Sequence, residues 1–221
     1  MDILEAISAR HSVRKYIDRQ ISADVQAQLR AEIAACNAQG DLNIQLATDE
    51  PEAFHGLMAR YGKFVNVNNY LALVGKKSKT LDESLGYFGE RIVLKATTLG
   101  LDSCWVALTY QKGKCACTIA PGETLRCVIA LGYGRDHGVP HRSKPMEALC
   151  KADGSIPEWF RCGMQAALLA PTATNQQKFM FTLSGSQVHA QATGGFYPQI
   201  DLGIVKYHFE LGAGAGNFKW A

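Results

Sequence analysis

Hydrophobic residues recur at helical spacing in three parts of the chain. In the clearest part the apolar positions, which Gly100 follows, are Leu81, Leu85, Phe88, Ile92, Ala96 and Leu99. Residues 80–83 before them, Thr-Leu-Asp-Glu, have the pattern of a capping box, in which a hydroxyl and a carboxylate close the first turn of a helix. The spacing predicts a buried amphipathic helix that ends at the glycine.

Two further helices are predicted in the same way. A second capping-box pattern at residues 155–158 precedes an apolar set that Pro171 ends: Trp159, Phe160, Met164, Ala167 and Leu168. Ser22 is the predicted N-cap of a third helix, whose apolar positions are Val25, Leu29 and Ile33.

Strands are predicted where β-branched or aromatic residues cluster between turn residues. Four such clusters lie at residues 42–47, 70–75, 126–132 and 178–183. Together with the helices they indicate an α+β protein, with a mixed sheet flanked by helices.

A weak internal similarity links the two parts of the chain. Leu85-Gly86 and Leu202-Gly203 open its two copies. With small shifts, Asp82, Ile92, Leu94 and Trp105 compare with Asp201, Phe209, Leu211 and Trp220. Duplication and chance similarity of amphipathic helices both stay open at this point. A linker-like stretch at residues 151–155 lies between the copies.

Composition narrows the class of protein. The 221 residues are enough to bury a core without disulfides, and 47% of them are hydrophobic and 19% charged. The 23 basic residues exceed the 20 acidic ones only slightly, which argues against a nucleic-acid partner. The N-terminus shows no signal peptide and no stretch predicts a membrane span, so we expect a cytoplasmic protein.

The seven cysteines are scattered, and an odd number does not suggest a disulfide framework. Cys115 and Cys117 form the one close pair. Thiol exchange or metal binding there is an alternative, but no histidine or second pair stands at ligand spacing, which favours ordinary reduced cysteines and no metal site.

Three short segments carry candidate chemistry. Residues 10–14, Arg-His-Ser-Val-Arg, directly follow a short predicted helix and could grip a phosphate. His141-Arg142-Ser143-Lys144-Pro145 offers a second group of donors after the apolar strand. Residues 171–177, Pro-Thr-Ala-Thr-Asn-Gln-Gln, could read the edge of a planar heterocycle. Taken alone, residues 10–14 are better explained as solvated surface, and spacing does not decide between a charged loop and a ligand site for residues 141–145. Backbone bonds of Thr and Asn side chains would explain part of residues 171–177 without a ligand.

The order of these segments resembles the FMN-dependent nitroreductase family. Residues 10–16 resemble its opening motif, Arg-(Arg/His)-Ser-x-Arg before an aromatic residue, and residues 170–177 resemble its Ala-Pro-Ser-x-x-Asn-x-Gln turn. Residues 99–106 are similar to its Leu-Gly-Leu-Gly-Ser-x-Trp segment, residues 129–134 to its Ala-Leu-Gly-Tyr strand end, and residues 142–145 to its basic Lys-Pro stretch. We name residues 10–16 the basic segment and residues 171–177 the proline turn.

One departure concerns the place of the proline turn. In ordinary family members this turn follows the first motif closely, but here residues 34–39 lack the proline and the hydroxyl residues. This resembles a branch of the nitroreductases in which one chain carries two related halves that mimic the usual dimer. The resemblance implies a nitroreductase-like fold with pseudo-symmetric halves, residues 1–150 and 151–221, the second completing the flavin site in a monomeric pseudo-dimer.

The resemblance also implies which residues bind FMN. By this resemblance, the residues that bind the phosphate and ribityl chain are Arg10, His11, Ser12 and Arg14, with help from Arg142 and Lys144. The residues expected along the flavin ring are Pro171, Thr172, Ala173, Thr174 and Asn175. Those expected at its other edge are Ser103, Cys104, Trp105 and Val106. The family commonly has glycine at the position of Asp102, and a side chain there is expected to alter the turn before this last contact. No catalytic side chain is implied, because the cofactor carries the chemistry.

The function that follows is hydride transfer from NAD(P)H or a redox protein to a nitroaromatic, a quinone or a similar small acceptor. The segment 48–69 is the expected variable loop at the acceptor pocket. A flavin-binding or sensing module without turnover is the alternative. The glycine-rich residues 212–216 do not read as a dinucleotide fingerprint, since no strand–turn–helix unit can follow them.

Overall fold

The computed structural model describes residues 1–140 and 142–221, which contain six α-helices and eight strands. The helices are α1 (Ile3–Ala9), α2 (Ala23–Gly40), α3 (Leu57–Tyr61), α4 (Leu81–Thr98), α5 (Glu158–Ala167) and α6 (Pro198–Ala213). The strands are β1 (Gln45–Ala47), β2 (Asn69–Lys76), β3 (Asp102–Val106), β4 (Glu123–Gly132), β5 (Cys150–Ala152), β6 (Phe179–Ser184), β7 (Gln187–Ala192) and β8 (Lys219–Trp220). The predicted α+β class is confirmed.

The three predicted helices are present as α2, α4 and α5, but only one of their predicted caps forms. The Ser22 hydroxyl accepts a hydrogen bond from the Val25 N–H, as predicted. Both capping boxes are wrong. Thr80 makes no side-chain cap, and the Glu83 carboxylate instead accepts from Lys206 Nζ at 2.7 Å. The second box fails because α5 begins only after Pro157, too late for residue 155 to cap it.

The four predicted strands correspond to β1, β2, β4 and β6. The other four were missed by the prediction. Of these, β5 and β8 are too short to show a period, and β7, Gln-Val-His-Ala-Gln-Ala, has few of the residues that favour strands.

The chain divides into two compact units. Unit 1 comprises Met1–Leu81 and Arg91–Pro140, and unit 2 comprises Asp82–Glu90 and His141–Ala221, so α4 contributes residues to both. The sheet of unit 1 is antiparallel throughout, with strand order β1-β2-β4-β3. In unit 2 the order is β5-β6-β7-β8, with parallel pairs at both edges.

Each unit has its own core. In unit 1, buried residues of the central strand β2 pack with aromatic side chains such as Tyr16 and Phe54. In unit 2, Phe209 of α6 stacks on Phe181 at a centroid distance of 4.7 Å and meets Phe160 edge to face at 5.4 Å. Such pairs add to the free energy gained by burying the rings.

Two glycines of unit 2 allow the first turns of α4 and α6 to cross closely. A Cβ on Gly86 would overlap the carbonyl oxygen of Ile200, and a Cβ on Gly203 would overlap that of Glu83. Each glycine therefore meets the carbonyl three residues before the other glycine, a reciprocal pattern that symmetric contacts produce.

The order of elements also recurs, as α2-β1-β2-α4-β3 and again as α5-β6-β7-α6-β8 when the short α3 is set aside. In both, the first two strands pair antiparallel. Duplication, and a boundary at residue 150, stay predictions.

Candidate functional site

The basic segment runs in extended conformation after α1 and lies against the start of β3. Ser12 and Ser103 form a parallel bridge, and the Val13 N–H donates to the Ser103 carbonyl at 2.9 Å. Further along, the Tyr16 N–H donates to the Val65 carbonyl at 3.0 Å. The main chain of the segment is thus held in its middle and at its C-terminal end.

Two buried side chains anchor the same segment. Val13 and Tyr16 are each 1% exposed, and the Tyr16 hydroxyl donates to the Val13 carbonyl at 2.7 Å. Burial raises the pKa of Tyr16 well above its usual range. The remaining side chains differ in exposure: Arg10 is buried, whereas Ser12 and Arg14 are exposed. The anchors therefore leave Ser12 and Arg14 facing solvent.

The structure brings the predicted flavin residues of β3 next to the basic segment. Ser103 is buried, and its hydroxyl has no hydrogen-bond partner in the described part of the chain. Burial raises the pKa of the Cys104 thiol, while the charges of Arg14 and Arg10 and a hydrogen bond with Ser12 partly oppose the rise. Cationic side chains and a buried hydroxyl thus lie together in unit 1.

Asp102 does not disturb this arrangement. It lies within β3, a conformation that needs no glycine, and its carboxylate is mostly buried. The carboxylate accepts a hydrogen bond from the Gly134 N–H at 2.9 Å, and it lies 3.2 Å from His137 Nδ1. The aspartate therefore holds the loop that follows β4.

The second basic group and the proline turn meet each other in unit 2. Asn175 Nδ2 and Gln177 Nε2 donate to the Arg142 carbonyl at 3.1 and 2.9 Å. Lys144 Nζ donates to the carbonyls of Gln176 and Gln177 at 2.8 and 3.1 Å. The Lys144 ammonium is thus already engaged in holding the turn. His141, which belongs to the same predicted group, lies outside the described residues.

The proline turn is stabilised by its own polar side chains. The Thr172 hydroxyl accepts from the Gln177 N–H at 3.0 Å. Thr174, Asn175 and Gln177 have φ values of 52°, 56° and 47°, which is the left-handed region that L-residues other than asparagine and aspartate rarely adopt. The turn is therefore a fixed, strained loop.

Asp201 on α6 anchors this turn and was missed as a site residue. Its carboxylate accepts from the Ala173 N–H at 3.0 Å and from Gln176 Nε2 at 2.7 Å. Burial raises the pKa of Asp201 to about 6, and the two hydrogen bonds oppose the rise. The sequence comparison with Asp82 drew attention to this residue but not to its partners.

A buried acid–base pair on α4 and α6 was also missed. Glu90 and His208 are each 0% exposed, and Glu90 Oε1 lies 3.0 Å from His208 Nε2. The other ring nitrogen of His208 lies 3.1 Å from the carbonyl oxygen of Ala166 on α5. A single histidine within an apolar helix gave the only signal.

The cysteines give little support to thiol or metal chemistry. All seven are free, and burial raises the pKa of Cys115 to about 12 and also raises that of Cys117. A high pKa leaves little reactive thiolate. Among the described residues, no three His, Cys, Asp or Glu side chains are grouped as a metal site requires. In that same part of the chain, no helix combines the length and apolarity needed to cross a membrane.

A cavity of about 500 Å³ lies in unit 1 within the segment predicted as a variable loop. The residues that line it include Phe54, His55, Arg60, Phe64, Asn66 and Asn68. Aromatic rings thus share one cavity with amide and cationic groups.

Comparison of the sequence with models of known protein families gives a match. A family model described as "Putative TM nitroreductase" matches residues 2–213. No curated protein sequence gives a significant match.

Several solved structures have a similar fold. A "putative nitroreductase" from Thermotoga maritima is 22% identical, with a TM-score of 0.69 over 96% of this chain and 83% of that chain. A "putative nitroreductase in complex with FMN" from Desulfovibrio desulfuricans is 18% identical, with a TM-score of 0.52 over 67% and 95% of the chains. A "Putative NADH dehydrogenase/NAD(P)H nitroreductase" from Parabacteroides distasonis is 21% identical, with a TM-score of 0.51 over 66% and 95%. At these identities the likeness establishes the fold.

Proposed function

Because the chain belongs to the family described as "Putative TM nitroreductase", we propose that it is an FMN-dependent oxidoreductase. It takes hydride from NADH or NADPH and passes electrons to a nitroaromatic, a quinone or a related small acceptor. Proteins of similar fold are named as nitroreductases, and one of them was solved in complex with FMN. Fold alone does not fix function, so the residues must carry the argument.

The observation that carries the proposal is the contact between the basic segment and β3. FMN has a phosphate dianion, and guanidinium groups, hydroxyls and main-chain N–H groups are the donors that bind such anions. Arg10, Ser12 and Arg14 supply these donors on one anchored segment, and the buried hydroxyl of Ser103 lies at its bridge. A buried hydroxyl without a protein partner is costly unless a ligand completes it. The donor set therefore fits the cofactor.

Bound FMN would supply the ring that accepts and donates hydride. The chain's own residues would position it. Arg10, His11, Ser12 and Arg14 would hold the phosphate and ribityl chain, and main-chain groups of Ser103, Cys104, Trp105 and Val106 would face the ring. For Pro171, Thr172, Ala173, Thr174 and Asn175 we propose ring contacts made by a turn already fixed by Asp201. Arg142 and Lys144 would act by holding that turn, since this is where the Lys144 ammonium is engaged.

FMN binding is tested on the purified protein. We expect one FMN per chain on denaturation, and quenching of FMN fluorescence on adding it to the apoprotein. Arg14→Ala should raise the Kd for FMN about tenfold, a loss of about 1.4 kcal/mol. Arg30→Ala, an exposed arginine on α2, is the matched control and should leave the Kd unchanged. A protein that neither releases FMN nor quenches it would refute the proposal.

Turnover separates an enzyme from a flavin-binding or sensing module. Under anaerobic conditions NADH or NADPH should bleach the flavin absorbance, and a nitroaromatic or a quinone should restore it. Bleaching by neither donor would favour the sensing module or a protein donor.

A further inference from the structure

Two aromatic residues, Phe54 and Phe64, line the 500 Å³ cavity in unit 1, and we call them its floor. Phe54 and Phe64 meet edge to face at a centroid distance of 5.2 Å, and Phe54 also stacks on Tyr110 at 6.4 Å. All three rings belong to the buried core of the unit. A planar ring placed on this floor would gain both apolar burial and aromatic contacts.

Two residues of the cavity wall are basic. His55 Nδ1 lies 3.4 Å from Glu52, so a carboxylate already faces it. Arg60 is exposed, and no carboxylate of the described residues lies within ion-pair distance of it. Within the described part of the chain, the cavity therefore offers an exposed guanidinium that no carboxylate pairs with, beside an aromatic floor.

The wall of the cavity is hydrogen-bonded to the basic segment. The Val65 N–H donates to the Arg14 carbonyl at 3.0 Å, and Asn66 Nδ2 donates to the Tyr16 carbonyl at 3.3 Å. Cys104 and Val106, both assigned to the flavin ring, belong to the same core as the cavity floor. Cavity and cofactor residues are thus parts of one packed structure within unit 1.

We propose that this cavity is the acceptor site and that Arg60 selects aromatic acceptors that carry a carboxylate. The assignment rests on the proposed function. The volume lies within the range of about 300–1,000 Å³ that small-molecule sites have. Arginine binds carboxylates through two parallel hydrogen bonds, which a neutral amide cannot match.

The test compares two acceptors of almost equal shape, 4-nitrobenzoate and 4-nitrobenzamide. Arg60→Ala should lower kcat/KM for the carboxylate at least about tenfold, mainly through KM, and change that for the amide less than about twofold. Arg60→Lys should restore part of the loss, because it keeps the charge without the planar fork. Arg30→Ala should affect neither acceptor.

A binding measurement separates this inference from the proposed function. Benzoate titrated into the purified protein, followed by NMR line broadening of the ligand, should bind the wild type and bind Arg60→Ala at least about tenfold more weakly. Equal loss for both acceptors, equal benzoate binding by the two proteins, or an effect confined to the KM for NADPH would each overturn the role of Arg60. Absence of bound FMN would refute the function and leave the benzoate result to judge the cavity.

Discussion

The basic segment of unit 1 and the proline turn of unit 2 are held by different kinds of interaction. Main-chain hydrogen bonds and two buried side chains, Val13 and Tyr16, hold the basic segment. The proline turn depends on polar side chains, namely its own Thr172 and Gln177 and the buried carboxylate of Asp201. Unit 2 also buries the polar pair of Glu90 and His208.

The difference has a physical consequence for mutation. Ser12 and Arg14 of the basic segment are exposed, so changing them should alter ligand binding more than folding. Polar side chains of the proline turn hold its conformation, so changing them should lower the free energy of unfolding as well.

The largest effect is expected at Tyr16, the apolar anchor of the basic segment. Tyr16→Ala removes a fully buried ring and should lower the free energy of unfolding by about 4 kcal/mol. Tyr16→Phe keeps the ring and should cost about 1 kcal/mol. Urea denaturation monitored by circular dichroism measures both values. Equal losses in the two variants would mean that the hydroxyl, not the ring, anchors the segment.

Asp201 should make stability depend on pH. Its folded-state pKa of about 6 lies above the usual aspartate value of 3.8, so the folded state holds the proton more tightly. Its contribution is fully present below pH 3.8 and is lost as pH rises through 6, a loss of about 3 kcal/mol in the free energy of unfolding.

Urea denaturation between pH 4 and 7 measures this slope. In Asp201→Asn the contribution of this group to the slope should disappear, because the amide does not titrate. If the difference in unfolding free energy between wild type and variant stays constant over this range, the buried carboxylate is not the titrating group.

Gln177→Ala compared with Arg14→Ala tests the contrast most directly. Gln177 is 3% exposed and bonds the Lys144 N–H and the Arg142 carbonyl, so its loss should cost about 2 kcal/mol. Arg14 is exposed, and its loss should change the free energy of unfolding by less than about 0.5 kcal/mol. Thermal unfolding of the two variants side by side measures the difference. Similar losses would remove the distinction between the two segments.

The smallest expected effect is a gain at Thr174. This β-branched residue has a φ of 52°, and its hydroxyl bonds only the adjacent Ala173 carbonyl among the contacts described. Thr174→Gly should relieve the strain and raise the free energy of unfolding by about 0.5 kcal/mol. Thr174→Ala, which keeps a Cβ, should show no gain. A loss in the glycine variant would mean that the threonine side chain stabilises the turn.

Much of the fold was predictable because burial imposes a period on the sequence. The helices α2 and α4 bury whole faces, and their apolar spacing predicted them. The strand β2 is buried at every position but Lys76, and its cluster of strand-favouring residues predicted it. The false capping boxes show the limit of local patterns, since Glu83 found its partner in Lys206, far along the chain.

The candidate site likewise has one part that the sequence predicted and another that it did not. The motifs predicted that residues 10–14 and 103–106 act together, and the bridge between Ser12 and Ser103 brings them side by side. Asp201 could not be predicted to hold Ala173, because the two are joined only by the folded chain. The same applies to the cavity, which needs the core positions of Phe54 and Phe64 as well as the surface position of Arg60.

The buried thiol of Cys104 can serve as a probe of local opening. The thiol is 2% exposed and interacts with Ser12, Arg10 and Arg14 of the basic segment, so an alkylating reagent can label it only when the structure around it opens. The labelling rate thus reports the average frequency of this opening in the protein population. Labelling of Cys104 followed by mass spectrometry, with and without flavin, measures how often this part of the molecule opens in each state.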